Sequence, residues 1–576
     1  MRGRWRLFVL GWLVILIGAA LAHAVQTTGG VKVTDVRFPG DKGVVMSGLL
    51  YLPPNATAAH PAPAVLVSHG YINTREMQSP FAIELARRGF VVLAMDMTGH
   101  GYSGGTVAAQ GFGGPAALRY LQSRPEVDRG NIGLEGHSLG AGAVLSAAAD
   151  QPDGYRSIVL EGTTPGLLGA PATATPTSPR NVALVFGKFD EFSVLMWQVP
   201  KGSMVATSTR LQGLFGASGP VVEGRLYGDI AAGTGRILWN PPITHPWEHF
   251  SRAGIGHAVD WFQTTLNGEA RPLDPNNQVW IWKEVGTLAA FVGFVLLLLG
   301  TFELLLGAPL FAGLAAEPQP TTLKRDGRWL ISLLLIIAIP AMTYFPFMKL
   351  GNLFFPMKAF PQWVTNQLLV WAILNGLITL VLGLVLRRGK SNLAKLGGPA
   401  ILLAVAVMAV GYGSLALVDA LFKVDYRFWV LGLKPLDAVH ARYALSYLPL
   451  WTAYFLVALR PLSADLAVKG EGPVAAYLTD AVAMAGGFAI LVGVQYASLF
   501  NTGLLATPSE PLNVIIAIQF IPLMAVVGII GAFTYRRTNA YVPGALICAL
   551  LICWYVTAGT ATHWSPDFKP PIPAAK

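Results

Sequence analysis

The chain has 576 residues, of which 53% are hydrophobic and only 12% charged. A wholly soluble fold does not carry that balance, so much of the chain is expected in lipid. The formal charge of +10 does not describe a nucleic-acid footprint: residues 26–283 hold 19 basic and 19 acidic side chains, and the excess lies in the apolar flanks, where basic loops orient membrane helices. The two cysteines, Cys548 and Cys553, share one apolar run, which leaves neither a disulfide framework nor a Cys-rich metal site.

Residues 1–25 begin with Arg2, Arg4 and Arg6, continue through an apolar run from Leu7 to Ala22 and end in Ala22-His23-Ala24. This is the pattern of an N-terminal membrane anchor or of a cleaved signal peptide. Residues 31–266 change character, with short apolar runs alternating with Gly/Pro turns and helical stretches. Strands are predicted at Ala64–Ser68, Val91–Asp96, Asn131–Glu135, Ser157–Glu161, Val182–Phe186 and Arg236–Trp239, and helices at Pro80–Arg88, Gly114–Ser123 and Leu139–Ala149. That grammar is α/β, a mostly parallel sheet with helices on both faces.

A linker at 267–284 leads to an all-α transmembrane region, 285–564. Eight spans of about the length a bilayer requires are predicted there: Val285–Leu306, Trp329–Phe347, Trp363–Leu386, Pro399–Leu421, Ala444–Leu459, Ala481–Phe500, Leu512–Phe533 and Val542–Ala561. The Ala444–Leu459 run is short and holds Pro449. With the N-terminus inside, the cytoplasmic ends collect 14 basic residues, among them Arg387, Arg388, Lys390 and Lys395, against eight in the opposite loops and tail. The bias puts the α/β domain and the tail, 565–576, outside.

Gly136-His137-Ser138-Leu139-Gly140 follows a predicted strand and opens an Ala/Gly-rich helix, so Ser138 falls on the sharp turn of a G-x-S-x-G nucleophile elbow. With 63 glycines in the chain the motif could also arise by chance. Leu139 would offer its backbone N–H to an oxyanion at the helix start. A second N–H would come from Tyr71, in His69-Gly70-Tyr71 after the strand Ala64–Ser68. Asp96-Met97-Thr98-Gly99-His100-Gly101-Tyr102-Ser103 follows Val91–Met95.

Together these segments resemble the α/β-hydrolase superfamily, in particular the dienelactone-hydrolase-like serine esterases, over residues 32–266. The resemblance implies a triad in the chain order serine, acid, histidine. Asp190, 52 residues after Ser138, fits the acid, with Glu191 and Glu161 as alternatives. His245, on a loop after the last strand, fits the base, with His249 as the alternative and His257 inside a helix. His100 and His137 are read as structural. His245-Pro246-Trp247-Glu248-His249 also spells the zinc motif H-x-x-E-H, which Pro241, Pro242 and Pro246 argue against because proline breaks a helix interior.

Phe192, Trp197, Trp239 and Trp247 are candidates for an acyl pocket or for core. The 55-residue spacing from Asp190 to His245 leaves room for a lid, whose apolar residues would be Phe192, Val194, Leu195, Met196 and Trp197, then Leu211, Leu214 and Phe215. The polar groups Glu303, Asp419, Asp480, Asn375, Gln495 and Gln519 stand out in the membrane part. The expectation is a membrane-integral serine esterase of a bacterial plasma membrane, with its catalytic domain extracytoplasmic, acting on an ester or acyl-lipid substrate of the lipid bilayer. No cofactor, no metal and no nucleic acid is expected. An acyltransferase, a serine peptidase, or a transporter or sensor using the fold as a binding module remain open at this point.

Overall fold

The computed structural model describes residues 4–169, 171–172, 174–268, 270–317, 323–386 and 397–568. After helix α1 (Trp5–Gln26), the chain forms β1 (Lys32–Pro39), β2 (Val45–Leu52), β3 (Ala62–Ser68), α2 (Ser79–Arg87), β4 (Val91–Asp96), α3 (Gly114–Ser123), β5 (Val127–His137), α4 (Gly140–Asp150), β6 (Ser157–Glu161), β7 (Val182–Val185), α5 (Ser193–Trp197), α6 (Thr209–Phe215), β8 (Arg236–Trp239) and α7 (Arg252–Thr265). One eight-stranded sheet results, ordered β1-β2-β4-β3-β5-β6-β7-β8. The pairs from β4 to β8 are parallel, and β1–β2 and β2–β4 are antiparallel.

All of β3 is buried, because alternate side chains enter opposite cores. Ala64 and Leu66 pack with α3 and α4, while Val65 and Val67 pack with α2 and α7. The parallel strands match the sequence expectation. The β1–β2 hairpin at the edge was not expected: β1 is largely half-buried, so it lacks the continuous apolar run that marks the inner strands.

The helical part comprises α8 (Trp280–Leu305), α9 (Gly327–Met342), α10 (Tyr344–Gly351), α11 (Trp363–Leu386), α12 (Gly398–Phe422), a short hairpin of β9 (Tyr426–Phe428) and β10 (Leu431–Leu433), α13 (Ala438–Ala458), α14 (Pro473–Thr502), α15 (Pro511–Thr538) and α16 (Val542–Gly559). Among the described residues, seven helices are long and apolar enough to cross a membrane, α1 included, and the α9–α10 pair, bent by 42°, makes an eighth if it is one span. Pro340, which cannot complete the helical ladder, lies one turn before the bend.

The Ala444–Leu459 span of the sequence reading belongs to α13, which is not among those apolar helices. It nevertheless starts beside Asp437 and His440 at the end facing the sheet, and α13 is followed by Arg460, which packs on Gly383 at the other end. Its Tyr447, Trp451 and Tyr454 are buried in the bundle core, so its polar content faces protein. Backbones meet closely where α1 crosses α8: a side chain on Gly11, Gly18, Gly286 or Gly293 would strike the facing helix backbone, the small-residue packing of apolar helices.

The two ends of the bundle differ. One end bears the sheet domain. At the other, Arg325 pairs with Glu471 at 2.6 Å and Arg537 meets Glu303 at 3.4 Å. Arg2, the basic loop Arg387, Arg388, Lys390 and Lys395, and the tail from 569 onward lie outside the described residues. The 267–284 segment read as a linker is held down. Arg88 donates to the carbonyls of Leu273 and Asp274, Arg87 reaches Asn277, and the Glu84 carboxylate accepts the N–H groups of Val279 and Trp280, so α8 starts at Trp280. A carboxylate at a helix N-terminus satisfies donors that have no partner within the helix.

Candidate active site

Ser138 sits between β5 and α4 with φ of +53°, a left-handed conformation that a non-glycine residue adopts only under constraint. Its neighbours make the turn possible. A side chain at Gly136 would strike Val144 and Ala141, and one at Gly140 would strike the carbonyls ending β3. The Ser138 N–H donates to Glu161 O at 2.8 Å. Leu139 is the N-cap of α4, so its N–H stands at the positive end of that helix. Gly70 packs against His137 and Ser138, where a Cβ would come within 3.2 Å of the serine Cβ. The loop carrying Tyr71 is thereby pressed on the elbow.

The Asp96–Ser103 segment is scaffolding. Asp96 accepts from Arg75 N, Ser47 Oγ and Tyr102 N, and Gly101 lies so close that any side chain would meet the carboxylate. His69 accepts Met97 N–H at Nε2 and donates from Nδ1 to Gly70 O, and burial holds it neutral by lowering its pKa. His100 is likewise buried, its pKa driven well below the ordinary range by desolvation.

His245 opens a 3-10 turn, His245–Phe250, and is fixed from several sides. Its Nδ1 donates to Asp190 Oδ2 at 2.8 Å, its backbone N–H donates to Glu191 Oε2 at 2.8 Å, and its carbonyl accepts from His137 Nε2 at 3.2 Å. The Phe192 ring lies 4.6 Å from the imidazole. Asp190 is held in turn by the Phe192 N–H at 2.7 Å. With the proton on Nδ1, the lone pair of His245 is on Nε2. Ser138 and His245 line one cavity of about 340 Å³. Among the described residues no hydrogen bond joins their side chains, as is common in a site without substrate.

The alternatives of the sequence reading fall elsewhere. Glu161 is buried at the end of β6, with neither carboxylate oxygen hydrogen-bonded among the described residues, and burial raises its pKa far above the ordinary range. Glu191 is not the orienter of the imidazole but a bridge: its other oxygen accepts Tyr496 Oη of α14 at 2.7 Å. Burial, with Asp190 beside it, pushes Glu191 up to about 7. Among the described residues His249 hydrogen-bonds to no carboxylate. Its Nδ1 meets His137 Nδ1 at 3.3 Å, and burial pushes it down to about 3. His257 lies in α7, stacked on Trp239.

The H-x-x-E-H segment does not place its histidines together, because four residues on a 3-10 turn advance them by about a third of a revolution. It brings residues three apart together instead, so Glu248 Oε2 approaches His245 Nδ1 at 3.7 Å and His137 Nε2 at 3.5 Å. One nitrogen each of His137 and His245 and an oxygen of Glu248 thus lie within 4.8 Å of one another, a spacing a metal ion could use. Those nitrogens are engaged, however: His245 Nδ1 by Asp190 and His137 Nε2 by the His245 carbonyl. Glu248 Oε1 accepts Gly187 N–H, and burial first, then Asp190, raises its pKa far above the carboxylate range. A protonated Glu248 lets the cluster rest uncharged.

The rest of the cavity was legible only in part: Phe192 was an acyl-pocket candidate and Leu195 and Met196 were expected in a lid. Leu167, Leu168, Phe192, Leu195 and Met196 wall it from the sheet domain, but Val430, Ser509, Pro511, Leu512, Ile515 and Gln519 come from the bundle. Of the expected lid, Trp197, Leu211, Leu214 and Phe215 are buried in the sheet-domain core, while Val194 and Leu195 are exposed. Trp247 packs on Trp429 of the β9–β10 turn, and Trp429 Nε1 donates to Pro246 O. Tyr71 Oη meets His563 Nε2 at 2.9 Å, and Thr562 pairs backbone to backbone with Gly99 and Val107. Both loops that frame the serine are therefore braced by the helical part. Gln519 was visible as a polar group in an apolar run; Tyr496, Trp429 and His563 gave no signal, since nothing local distinguishes them from packing or interfacial residues.

Residues 59–189 match the family described as serine aminopeptidase, S33. The sheet domain has an α/β-hydrolase-like fold. An esterase of Pyrococcus furiosus is similar to it at 17% identity, covering 41% of this chain and 94% of its own, with a TM-score of 0.29. A dienelactone hydrolase of Anabaena variabilis is similar at 18% identity over 41% and 99% of the two chains, also at 0.29. An uncharacterized protein of Mycobacterium tuberculosis is 34% identical over 98 residues, 17% of this chain, and the match spans 35% of that relative's length. The sheet domain is joined in one chain to a bundle whose residues line part of its cavity.

Proposed function

We propose that the protein is a membrane-integral serine esterase acting on lipid-like or membrane-delivered acyl esters. In this reading Ser138 attacks the ester carbonyl and His245 Nε2 takes its proton. Asp190 holds the imidazole, and the N–H groups of Tyr71 and Leu139 receive the developing oxyanion. The alcohol leaves with the proton from His245, and water, activated by the same histidine, releases the acid from Ser138. The observation that carries the reading is that the cavity holding Ser138 and His245 is completed by Leu512, Ile515 and Gln519 of an apolar helix. In this reading an apolar acyl chain would lie against that helix while its ester carbonyl meets Ser138. Arg325 and Arg537 at the far end of the bundle, with the excess of basic residues that the sequence puts in the loops on that side, support a catalytic domain on the outer side.

The matched family description supports a second reading, a peptidase using the same groups. A panel of 4-nitrophenyl esters of graded acyl length beside amino-acid 4-nitroanilides, run on the purified full chain, separates the two. Ester turnover that rises with acyl length supports the first. Turnover of the anilides alone would replace it with the second.

A further inference from the structure

Beside the catalytic cavity lies a smaller niche of about 50 Å³. The two share Ile72, Asn73, Val430 and Gln519 on their walls, so they are neighbours between the sheet domain and the bundle. A water-sized group needs at least about 10–15 Å³ on this measure, so the niche holds a group of some three to five heavy atoms, the size of a carboxylate or phosphate.

Its wall carries cations in unequal states. Arg427 is engaged by the Asp425 carboxylate through Nε and its terminal nitrogen, the closest at 2.5 Å. Arg75, behind it, is spent on Asp35, Glu76 and Gly48 O. Lys434 is different: it is 4% exposed, and its Nζ has no hydrogen-bond partner among the described residues. Its Nζ lies 4.7 Å from the face of the Tyr102 ring, and its charge is felt by the carboxylates of Glu76 and Asp437, neither of which hydrogen-bonds to it. The carboxylate of Glu76 is already taken by Thr74 Oγ1 at 2.5 Å, by Arg75 Nε at 3.1 Å and, more distantly, by Arg427 at 4.0 Å. A buried ammonium with its three donors unused is costly unless an anion completes it. Gln519 adds to the site: its Oε1 accepts Tyr555 Oη at 2.6 Å, which turns its amide nitrogen into the available end.

We infer that Lys434 is the anion-binding residue of a substrate subsite, and that the ester cleaved at Ser138 carries a carboxylate or phosphate near the scissile bond. The inference deepens the esterase reading and rests on it. The same chemistry is offered by a lipid headgroup and by a small soluble ester, so the test uses both: oleoylglycerol against oleoylglycerol phosphate in mixed micelles, and butyrylglycerol against butyrylglycerol phosphate in buffer. For wild type, kcat/KM is expected to be about 10-fold or more higher for the anionic member of each pair, mainly through KM. Preference within the micellar pair alone assigns the anion to a lipid headgroup, and preference within both assigns it to any anionic ester.

Lys434→Met is expected to abolish the preference while turnover of the neutral esters stays, which also reports that the variant is folded. Lys434→Arg is expected to keep most of it. Equal turnover of neutral and anionic esters by wild type, or an intact preference in Lys434→Met, would overturn the inference. A hydrolysis-free arm separates it from the esterase reading. The non-cleavable alkyl ether of glycerol phosphate is expected to raise the Tm of wild type and not of Lys434→Met, whereas the neutral alkyl ether raises neither. If no ester is cleaved but that difference holds, the esterase reading fails and the anion site stands; if the Tm difference is absent, the anion site fails.

Discussion

The hydrolase and the bundle bring unlike things to one cavity. On the hydrolase side, polar groups are dense and closely matched: His245 alone is held through ring, backbone N–H and carbonyl by Asp190, Glu191 and His137. On the bundle side, the cavity wall is apolar apart from Ser509 and Gln519. Chemistry needs groups placed to within a fraction of an ångström, which interlocking hydrogen bonds supply; a wall needs only shape and dryness. Under the proposed function this becomes a division of labour in which one region would set whether a bond is cleaved and the other which molecules reach it.

That division is broken most sharply by the base. His245→Ala is expected to lower ester turnover by about 10³-fold or more, as loss of a triad member does. His249→Ala, which removes a ring touching only the His137 side, is expected to keep the larger part. Equal losses in kcat/KM for the two variants would mean that the base has been assigned to the wrong histidine. A smaller change tests the wall: Leu512→Trp on the bundle side should cut kcat/KM for long acyl esters by about 10-fold and leave the shortest esters nearly untouched, because it shortens the space without touching the chemistry. An unchanged acyl-length profile would remove the bundle from substrate selection.

The brace between the regions should give a smaller effect still. Tyr496→Phe removes one hydrogen bond to Glu191, and a bond of that kind is worth roughly 0.5–1.5 kcal/mol. A 2- to 10-fold fall in kcat at constant KM is expected. Glu191 itself provides a pH test. Its folded value of about 7 lies above that of an unfolded glutamate, about 4.3, so the folded state holds its proton more tightly and loses stability as pH rises from about 4.5 through 7. The Tm of Glu191→Gln relative to wild type should therefore climb across that window and level off above it. A difference that falls instead would show that Glu191 is ionised at low pH, with Tyr496 and the His245 N–H outweighing burial.

How much of this was legible in the sequence follows the same boundary. Ser138 could be placed because the glycines around it have no other use in a strand-to-helix turn. The parallel strands announced themselves by unbroken apolar runs, while the half-buried edge strand β1 did not. Asp190 and His245 were reachable through chain order and family resemblance; their neighbours Glu191 and Glu248 were noted only as an alternative acid and as part of a zinc motif argued against, because bridging Tyr496 or sharing a 3-10 face with His245 depends on tertiary geometry. The helices of the bundle were visible one by one through hydropathy. Their meeting with the hydrolase was not, since Tyr496, Trp429, Lys434 and His563 act across hundreds of residues of chain and leave no local pattern.

The central claim is that Ser138 becomes acylated in a cavity shared by the two regions. The most direct measurement is to treat the purified full chain with an alkyl fluorophosphonate and map the adduct by peptide mass. The expected result is a single phosphonylated site at Ser138 in wild type, no adduct in Ser138→Ala, and slower labelling after Leu512→Trp for a long-chain probe than for a short one. An adduct on another residue, or ester turnover that survives Ser138→Ala, would contradict it.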